Sequence, residues 1–287
     1  MGLIKPELGP HNASLQEMMT THSYPEILER IQLALDAAGK ILARFTPGEV
    51  VAEFKAGHDP VTEADKAVDA ALRKLLLRDG EGWLSEESVD DLVRLEQKRV
   101  WVVDPLDGTR EFVAGIPEFC VSVAMVENGR PVAAGILNPA TQDTFLGSLD
   151  TGLTYNGKPA GPTRRTTLEG AVILASRSEV KRGEWKIFEN GKFRIRPTGS
   201  VAYKLALVAA GMADGTFTLT PKHEWDVAGG AALIESAGGF LRTLNNEPLR
   251  CNKPHPWLPG LLACGPDLAG PLAALLKEYV PAQSSGR

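Results

Sequence analysis

The run Asp104-Pro105-Leu106-Asp107-Gly108-Thr109 limits the folds open to this chain more than any other stretch. It follows Arg99-Val-Trp-Val-Val103, a short segment of buried-strand character that should end abruptly at Asp104-Pro105. A strand suited to a core therefore empties into two carboxylates three residues apart. Pro105 disfavours helical geometry at Asp104, and Gly108 permits a tight turn. Such a bend sets both carboxylates and the Leu106 carbonyl on one side, a set of hard oxygen donors that suits Mg²⁺. The same residue types also build plain surface turns; the apolar strand feeding the loop weighs against that reading. A helix starting at Thr109 would add backbone N–H groups able to cradle a phosphate.

Three further acidic groups abut regular elements, and each has a bland reading as well as a functional one. Ser85-Glu86-Glu87-Ser88 is either a solvated loop or a ligand segment. Asp65, at the end of Asp59-Pro-Val-Thr-Glu-Ala-Asp65, falls in the first turn of a helix expected over Thr62–Leu77. It is either a capping carboxylate or a reactive one, and Thr62 is a fitting cap. His223-Glu-Trp-Asp226 precedes an Ala- and Gly-rich helix, so Asp226 is either its cap or a ligand fixed to a rigid element. The five histidines are scattered, without the HExxH or cysteine spacing of a zinc site.

The periodicity predicts an α+β first half and an α/β-like second half. A helix runs over Pro25–Phe45, with Ile27, Leu28, Ile31, Leu35, Ala38, Leu42 and Phe45 as its stripe. Strands follow at Val50–Phe54, Arg99–Val103, Phe119–Val126 and Pro131–Leu137, with turns at Asn128-Gly129 and Asn156-Gly157. Beyond a soft boundary at Asn156–Thr166, strands at Ala171–Ala175, Phe193–Arg196, Ala213–Leu219 and Leu261–Cys264 alternate with helices at Tyr203–Ala210, Val227–Ala237 and Leu268–Lys277. The division expected is an N-terminal α+β subdomain over residues 22–160 and a C-terminal α/β subdomain over 161–278.

Charge narrows the partners. With 31 Lys and Arg against 36 Asp and Glu, the formal charge is −5 and no long basic run occurs. A nucleic-acid duplex or an anionic membrane is a poor partner for such a chain. A small phosphorylated metabolite remains open, provided metal ions supply positive charge locally. No uncharged apolar stretch approaches the roughly 18 residues of a membrane span. The segment Met1–Thr20 lacks the apolar core of a signal peptide. Three widely spaced cysteines, Cys120, Cys251 and Cys264, make no disulfide framework. A reduced, cytoplasmic setting is expected.

Taken together, DPLDGT at Asp104–Thr109, the Glu86-Glu87 pair, WDVAGG at Trp225–Gly230 and DPVTEAD at Asp59–Asp65 resemble, in order, the motifs of the inositol monophosphatase superfamily. These are magnesium-dependent, lithium-sensitive phosphatases, and the resemblance spans Ile27–Leu262. It implies a layered α/β/α/β/α sandwich, frequently dimeric. It implies Glu86, Asp104, the Leu106 carbonyl, Asp107 and Asp226 as ligands of two or three Mg²⁺ ions per site. Asp65 and Thr109 would orient the attacking water, with Glu86 sharing that task, and Gly108 and Thr109 would touch the phosphate. The electrostatics agrees, because converging carboxylates repel one another unless protonated or paired with cations.

Arg110-Glu111-Phe112 and Ser176-Arg177-Ser178 resemble the CysQ-like 3′(2′),5′-bisphosphate nucleotidases, as does Gly199-Ser200 followed by Lys204. That branch implies hydrolysis of adenosine 3′,5′-bisphosphate to AMP and phosphate, with Arg177, Ser200, Lys204 and Lys222 as substrate contacts and Tyr203 or Trp225 against the base. Leu219 stands where inositol monophosphatases place a glutamate for inositol hydroxyls, and it cannot accept those hydrogen bonds. Alternatives are an inositol-1-phosphate or broad sugar-phosphate phosphatase (fructose-1,6-bisphosphate included), or a non-catalytic metal- or nucleotide-binding protein.

Overall fold

A computed structural model of the chain describes residues 24–54, 60–189 and 191–279. Asp59, the first residue of the DPVTEAD motif, lies outside them. In chain order the elements are α1 (Tyr24–Leu42), β1 (Glu53–Phe54), β2 (Pro60–Val61), α2 (Glu63–Leu76), β3 (Glu81–Ser85), β4 (Arg99–Asp107), α3 (Thr109–Val113), β5 (Cys120–Glu127), β6 (Arg130–Asn138), β7 (Asp143–Ser148), β8 (Gly152–Tyr155) and β9 (Lys158–Ala160). There follow β10 (Val172–Ser176), α4 (Arg177–Lys181), β11 (Arg194–Thr198), α5 (Val201–Ala209), β12 (Gly215–Thr218), β13 (Lys222–His223), α6 (Glu224–Ser236), β14 (Phe240–Thr243), β15 (Trp257–Leu258), β16 (Leu261–Cys264) and α7 (Ala269–Tyr279).

Strands β3 to β9 form a seven-stranded sheet in sequence order. The β3–β4 pair is parallel and the others are antiparallel. A five-stranded sheet has the order β11-β10-β12-β16-β14; β10 is parallel to both its neighbours, and β16 runs antiparallel to both of its own.

The alternation in β5 shows why the layers stack. Phe119, Val121, Val123 and Met125 join Trp101 and Val103 beneath the apolar stripes of α1 and α2. Cys120, Ala124 and Val126 face the other way, into the core shared with α5 and α6. A strand covered on both faces is apolar nearly throughout, and β5 is so apart from Ser122 and the terminal Glu127. The five-stranded sheet closes α5 and α6 from the far side. Its outer face, with Ile173, Phe217 and Leu262, packs against α7 and the Trp185–Phe188 turn. The order α1/α2, sheet, α5/α6, sheet, α4/α7 is the α/β/α/β/α sandwich.

Two differences from the sequence reading matter. Strand β4 does not stop at Asp104-Pro105; it continues through Asp107. Its pairing with β5 shifts register between Asp104, opposite Ser122, and Asp107, opposite Cys120. One extra residue on β4 is absorbed as a bulge, which tolerates Pro105 without ending the strand. Strands β7, β8, β9 and β14 are also additional, and their short, Gly-, Thr- and Asp-diluted sequences explain why no pattern stood out. Among the described residues no helix is long and apolar enough to cross a membrane.

Candidate active site

The bulge on β4 sets its two carboxylates at different jobs. Asp104 is 1% exposed and its Oδ1 accepts from the Leu106 N–H at 3.0 Å. Its Oδ2 is buried and, among the described residues, has no hydrogen-bond donor. Asp107 Oδ2 accepts from Ser200 Oγ at 2.7 Å and from the Ala202 N–H at 2.6 Å, which joins β4 to the start of α5. Gly108 then turns the chain at φ 96°, and a Cβ there would lie 2.8 Å from the Glu118 carbonyl oxygen. Only glycine fits both the angle and the gap.

Carboxylate oxygens of Glu86, Asp104 and Asp226 all lie within 4.8 Å of one another. Glu86 arrives on the exit of β3, Asp104 on β4 and Asp226 in the first turn of α6. Burial pushes the Asp104 carboxyl well above its ordinary range, and repulsion from Glu86, Asp107 and Asp226 pushes it further. Asp226 is raised well above its range by burial first, then by Asp107 and Glu86. Asp107 is raised by burial, against the pull of Ser200, Ala202 and Lys204. A buried carboxylate oxygen without a donor, inside a set of mutually repelling acids, is what a hard divalent cation relieves. The donor set fits Mg²⁺.

Asp65 and Asp226 share a local device. Each is the third residue of its helix and each accepts the N–H of the preceding cap residue: Thr62 to Asp65 Oδ2 at 2.8 Å, His223 to Asp226 Oδ2 at 3.0 Å. The capping reading of both acids therefore holds in geometry. Asp65 is 2% exposed and raised by burial, opposed by bonds from Thr62 and Thr109. Thr109 Oγ1 lies 3.1 Å from Asp65 Oδ1 and 2.9 Å from the Leu106 carbonyl oxygen.

These groups open onto a cleft of about 360 Å³. Glu86, Leu106, Asp107, Gly108, Thr109 and Asp226 line it together with Ser200, Lys204, Lys222, Arg182, Trp225 and Trp257. Lys204 is buried, with Nζ donating to the Ser200 carbonyl at 2.7 Å. Burial lowers its pKa, while Asp107 and Glu179 pull the other way. Lys222 Nζ reaches Glu179 Oε1 at 3.4 Å. His223 stacks on Trp225, centroids 4.3 Å apart, and lies 3.8 Å from the Trp257 ring. A larger hollow of about 500 Å³ lies beside α1, but its charges pair among themselves as Arg30–Glu81, Arg78–Glu26 and Arg99–Glu127, and no carboxylates converge there.

Not every residue singled out from sequence reaches the cleft. Arg177 grips Glu118 with both ends of its guanidinium, at 2.7 and 3.0 Å, and is absent from the cleft wall. The Ser200 hydroxyl is engaged by Asp107. Tyr203 is buried and donates to Asp143 Oδ2 at 2.5 Å, away from any base. Leu219 is 39% exposed and also off the wall. Arg182 and Trp257 were missed. Ser178 and Arg182, four apart on one helical face, both line the cleft, so period was the available signal for Arg182. Trp257 arrives by pairing with His223 between two-residue strands, which leave no signal.

The sequence profile of the inositol monophosphatase family matches residues 24–280. The chain is 32% identical over 270 residues to an inositol-1-monophosphatase of Rhizobium meliloti strain 1021, covering 87% of this chain and 96% of that protein. Among solved structures, an IMPase of Thermotoga maritima superposes with a TM-score of 0.75 at 25% identity, covering 88% of this chain and 97% of that one. CysQ of Bacteroides thetaiotaomicron superposes at 0.69 and 27% identity, covering 84% and 97%.

Proposed function

The chain belongs to the inositol monophosphatase family, and from that premise we propose that its magnesium-dependent phosphomonoesterase chemistry is directed at a 3′(2′),5′-bisphosphate nucleotide, converting adenosine 3′,5′-bisphosphate to AMP and phosphate. The observation that carries this reading is the composition of one cleft. Its carboxylates share the cleft with Lys204, Lys222 and Arg182 and with the Trp225 and Trp257 indoles. A substrate with a second phosphate and a flat base uses all three kinds of surface, whereas a polyol monophosphate uses the carboxylates alone.

In this reading Glu86, Asp104, the Leu106 carbonyl, Asp107 and Asp226 hold the metal. When bound, magnesium neutralises these acids, binds phosphoryl oxygens and makes water more acidic. Thr109 Oγ1 accepts a hydrogen bond from the attacking water while its own proton points to Asp65, which fixes the direction of the water's lone pair. The water oxygen forms a bond to phosphorus as the ester P–O bond breaks, in line, with no phosphoenzyme. The Gly108 turn brings the backbone close to the transferred phosphoryl group. Lys204, Lys222 and Arg182 hold the remote phosphate and Trp225 and Trp257 flank the base. Arg177 has no part in it.

A second reading, inositol-1-phosphate, is supported by the near full-length likeness to the Rhizobium protein. It is also supported by Leu219 lying off the cleft wall, which removes the sequence argument against a polyol. Phosphate release from adenosine 3′,5′-bisphosphate, inositol-1-phosphate and fructose-1,6-bisphosphate, compared by kcat/KM in Mg²⁺, separates the two. We expect the nucleotide to lead by about tenfold or more, roughly 1.4 kcal/mol. The reverse order by the same margin overturns the nucleotide assignment.

A further inference from the structure

We propose that Arg94 is a positioning residue that ties the segment carrying Glu86 to the start of α6, and so fixes Glu86 relative to Asp226. The inference rests on the reading of those two acids as metal ligands. Between Glu86 and Lys98, Arg94 is the one buried residue. The apolar side chains of this stretch point outward: Val89 is 95% exposed, Val93 56% and Leu92 46%. Burial of apolar surface therefore cannot set where the segment lies. Polar contacts must, and they have a definite layout.

At the root of the segment, Ser85 Oγ and Ser88 Oγ donate to Asp69 of α2 at 2.6 and 2.7 Å. At its far end the Arg94 guanidinium, 1% exposed, spans two chain segments. Nε and Nη2 bond to Asp90 at 3.0 and 2.7 Å, within its own segment. Nη1 reaches Asn252 Oδ1 at 2.7 Å and Nη2 the Lys253 carbonyl at 2.9 Å. The N–H groups of Asn252 and Lys253 in turn donate to Glu224 at 2.6 and 3.1 Å. Glu224 is fully buried and stands two residues before Asp226. The path from Glu86 through Arg94, the 252–253 loop and Glu224 to Asp226 closes on itself at the carboxylate cluster.

Two backbone features favour this tie. Gly82 on β3 has no side chain because a Cβ there would lie 2.8 Å from Arg94 Cβ. Leu92 sits at φ 64°, a conformation that a branched side chain holds only where its surroundings enforce it. A lysine could not replace the arginine, because a single ammonium lacks the fork that holds Asp90 and the 252–253 loop at once.

The test is titration of MgCl₂ alone into the full chain by calorimetry, beside the half-saturating Mg²⁺ and the kcat of turnover. Arg94→Met should weaken Mg²⁺ binding on the order of tenfold or more, the range seen when outer partners of metal ligands are lost. Turnover at saturating Mg²⁺ should fall far less. Asn252→Gly tolerates φ 61° and deletes two bonds to Arg94, one to its guanidinium and one to its carbonyl; it should weaken binding in the same direction by a smaller factor, and it decides the matter if Arg94→Met does not fold. Unchanged Mg²⁺ binding with a lowered Tm in Asn252→Gly, or in a folded Arg94→Met, overturns the proposal and leaves Arg94 a stabiliser. Glu86→Gln and Asp226→Asn are the controls. If they bind Mg²⁺ like the parent, the ligand reading itself fails; if they lose it and the Arg94 pathway variants do not, only the positioning role fails.

Discussion

Asp104 and Asp107 stand at the end of a nine-residue strand in the seven-stranded sheet. In the same cleft, Lys204, Lys222 and Arg182 come from a helix, a two-residue strand and the residue just past a five-residue helix. The acids repel one another, and Asp104 keeps a buried oxygen that no donor among the described residues reaches. The cations are already accommodated by the protein, Lys204 by the Ser200 carbonyl and Lys222 by Glu179. The acids are incomplete without an ion, whereas Lys204 and Lys222 already have partners in the protein. Shared chemistry with changeable substrates follows from that division, since a function sits in a site grafted on a fold rather than in the fold itself.

The sharpest way to break this contrast is Asp104→Asn. Phosphate release should fall by at least about 100-fold, since even outer partners of metal ligands are worth about 10- to 100-fold. The same change removes one of the repelling charges, so the Tm measured in EDTA should hold or rise. A fall in EDTA would mean that the acids are not strained in the way described. Next in size is Lys204→Met. If the basic residues hold a second phosphate, kcat/KM for the bisphosphate should drop about 30-fold more than for a monophosphate, the equivalent of roughly 2 kcal/mol for a charged hydrogen bond. Equal losses on the two substrates would assign Lys204 to the support of Asp107 instead. The smallest effect belongs to Arg177→Ala. Its partner is Glu118 and its side chain is 38% exposed, so kcat/KM should stay within about twofold on either substrate and Tm should move little. A selective loss on the bisphosphate would bring Arg177 back to the substrate.

What could be read from the residues follows the same division. Three of the acids are legible because each abuts a strong element: Asp104 a run of Val and Trp, Asp226 an apolar helix, Asp65 a capped helix; Glu86 follows β3, which no sequence pattern announced. Local pattern and chemistry coincide there, whereas the layered order of sheets and helices came from the family resemblance and not from the runs themselves. The basic residues are legible only in part: Lys204 and Lys222 were named from sequence and line the cleft, but other positions are set by distant partners. Arg177 turns to Glu118, 59 residues earlier, and no local rule pairs them. Arg182 carries only its four-residue spacing from Ser178, at the end of a five-residue helix that the sequence reading did not expect. Trp257 reaches the cleft through a two-strand pairing with His223. The extension of β4 was hidden by its own bulge, because Pro105 and Gly108 read as punctuation while the ladder to β5 ran on past them.

Asp65 and Asp226 each begin a helix; Asp226 also lines the cleft, and Asp65 meets it through Thr109. A descendant of this chain that gave up turnover would still be held to acids, or close mimics of them, at both places, because losing either would fray the start of a long helix. The survival of those two residues in a distant cousin is therefore poor testimony that the cousin is an enzyme. Asp104, whose free oxygen has no architectural duty, is the better witness.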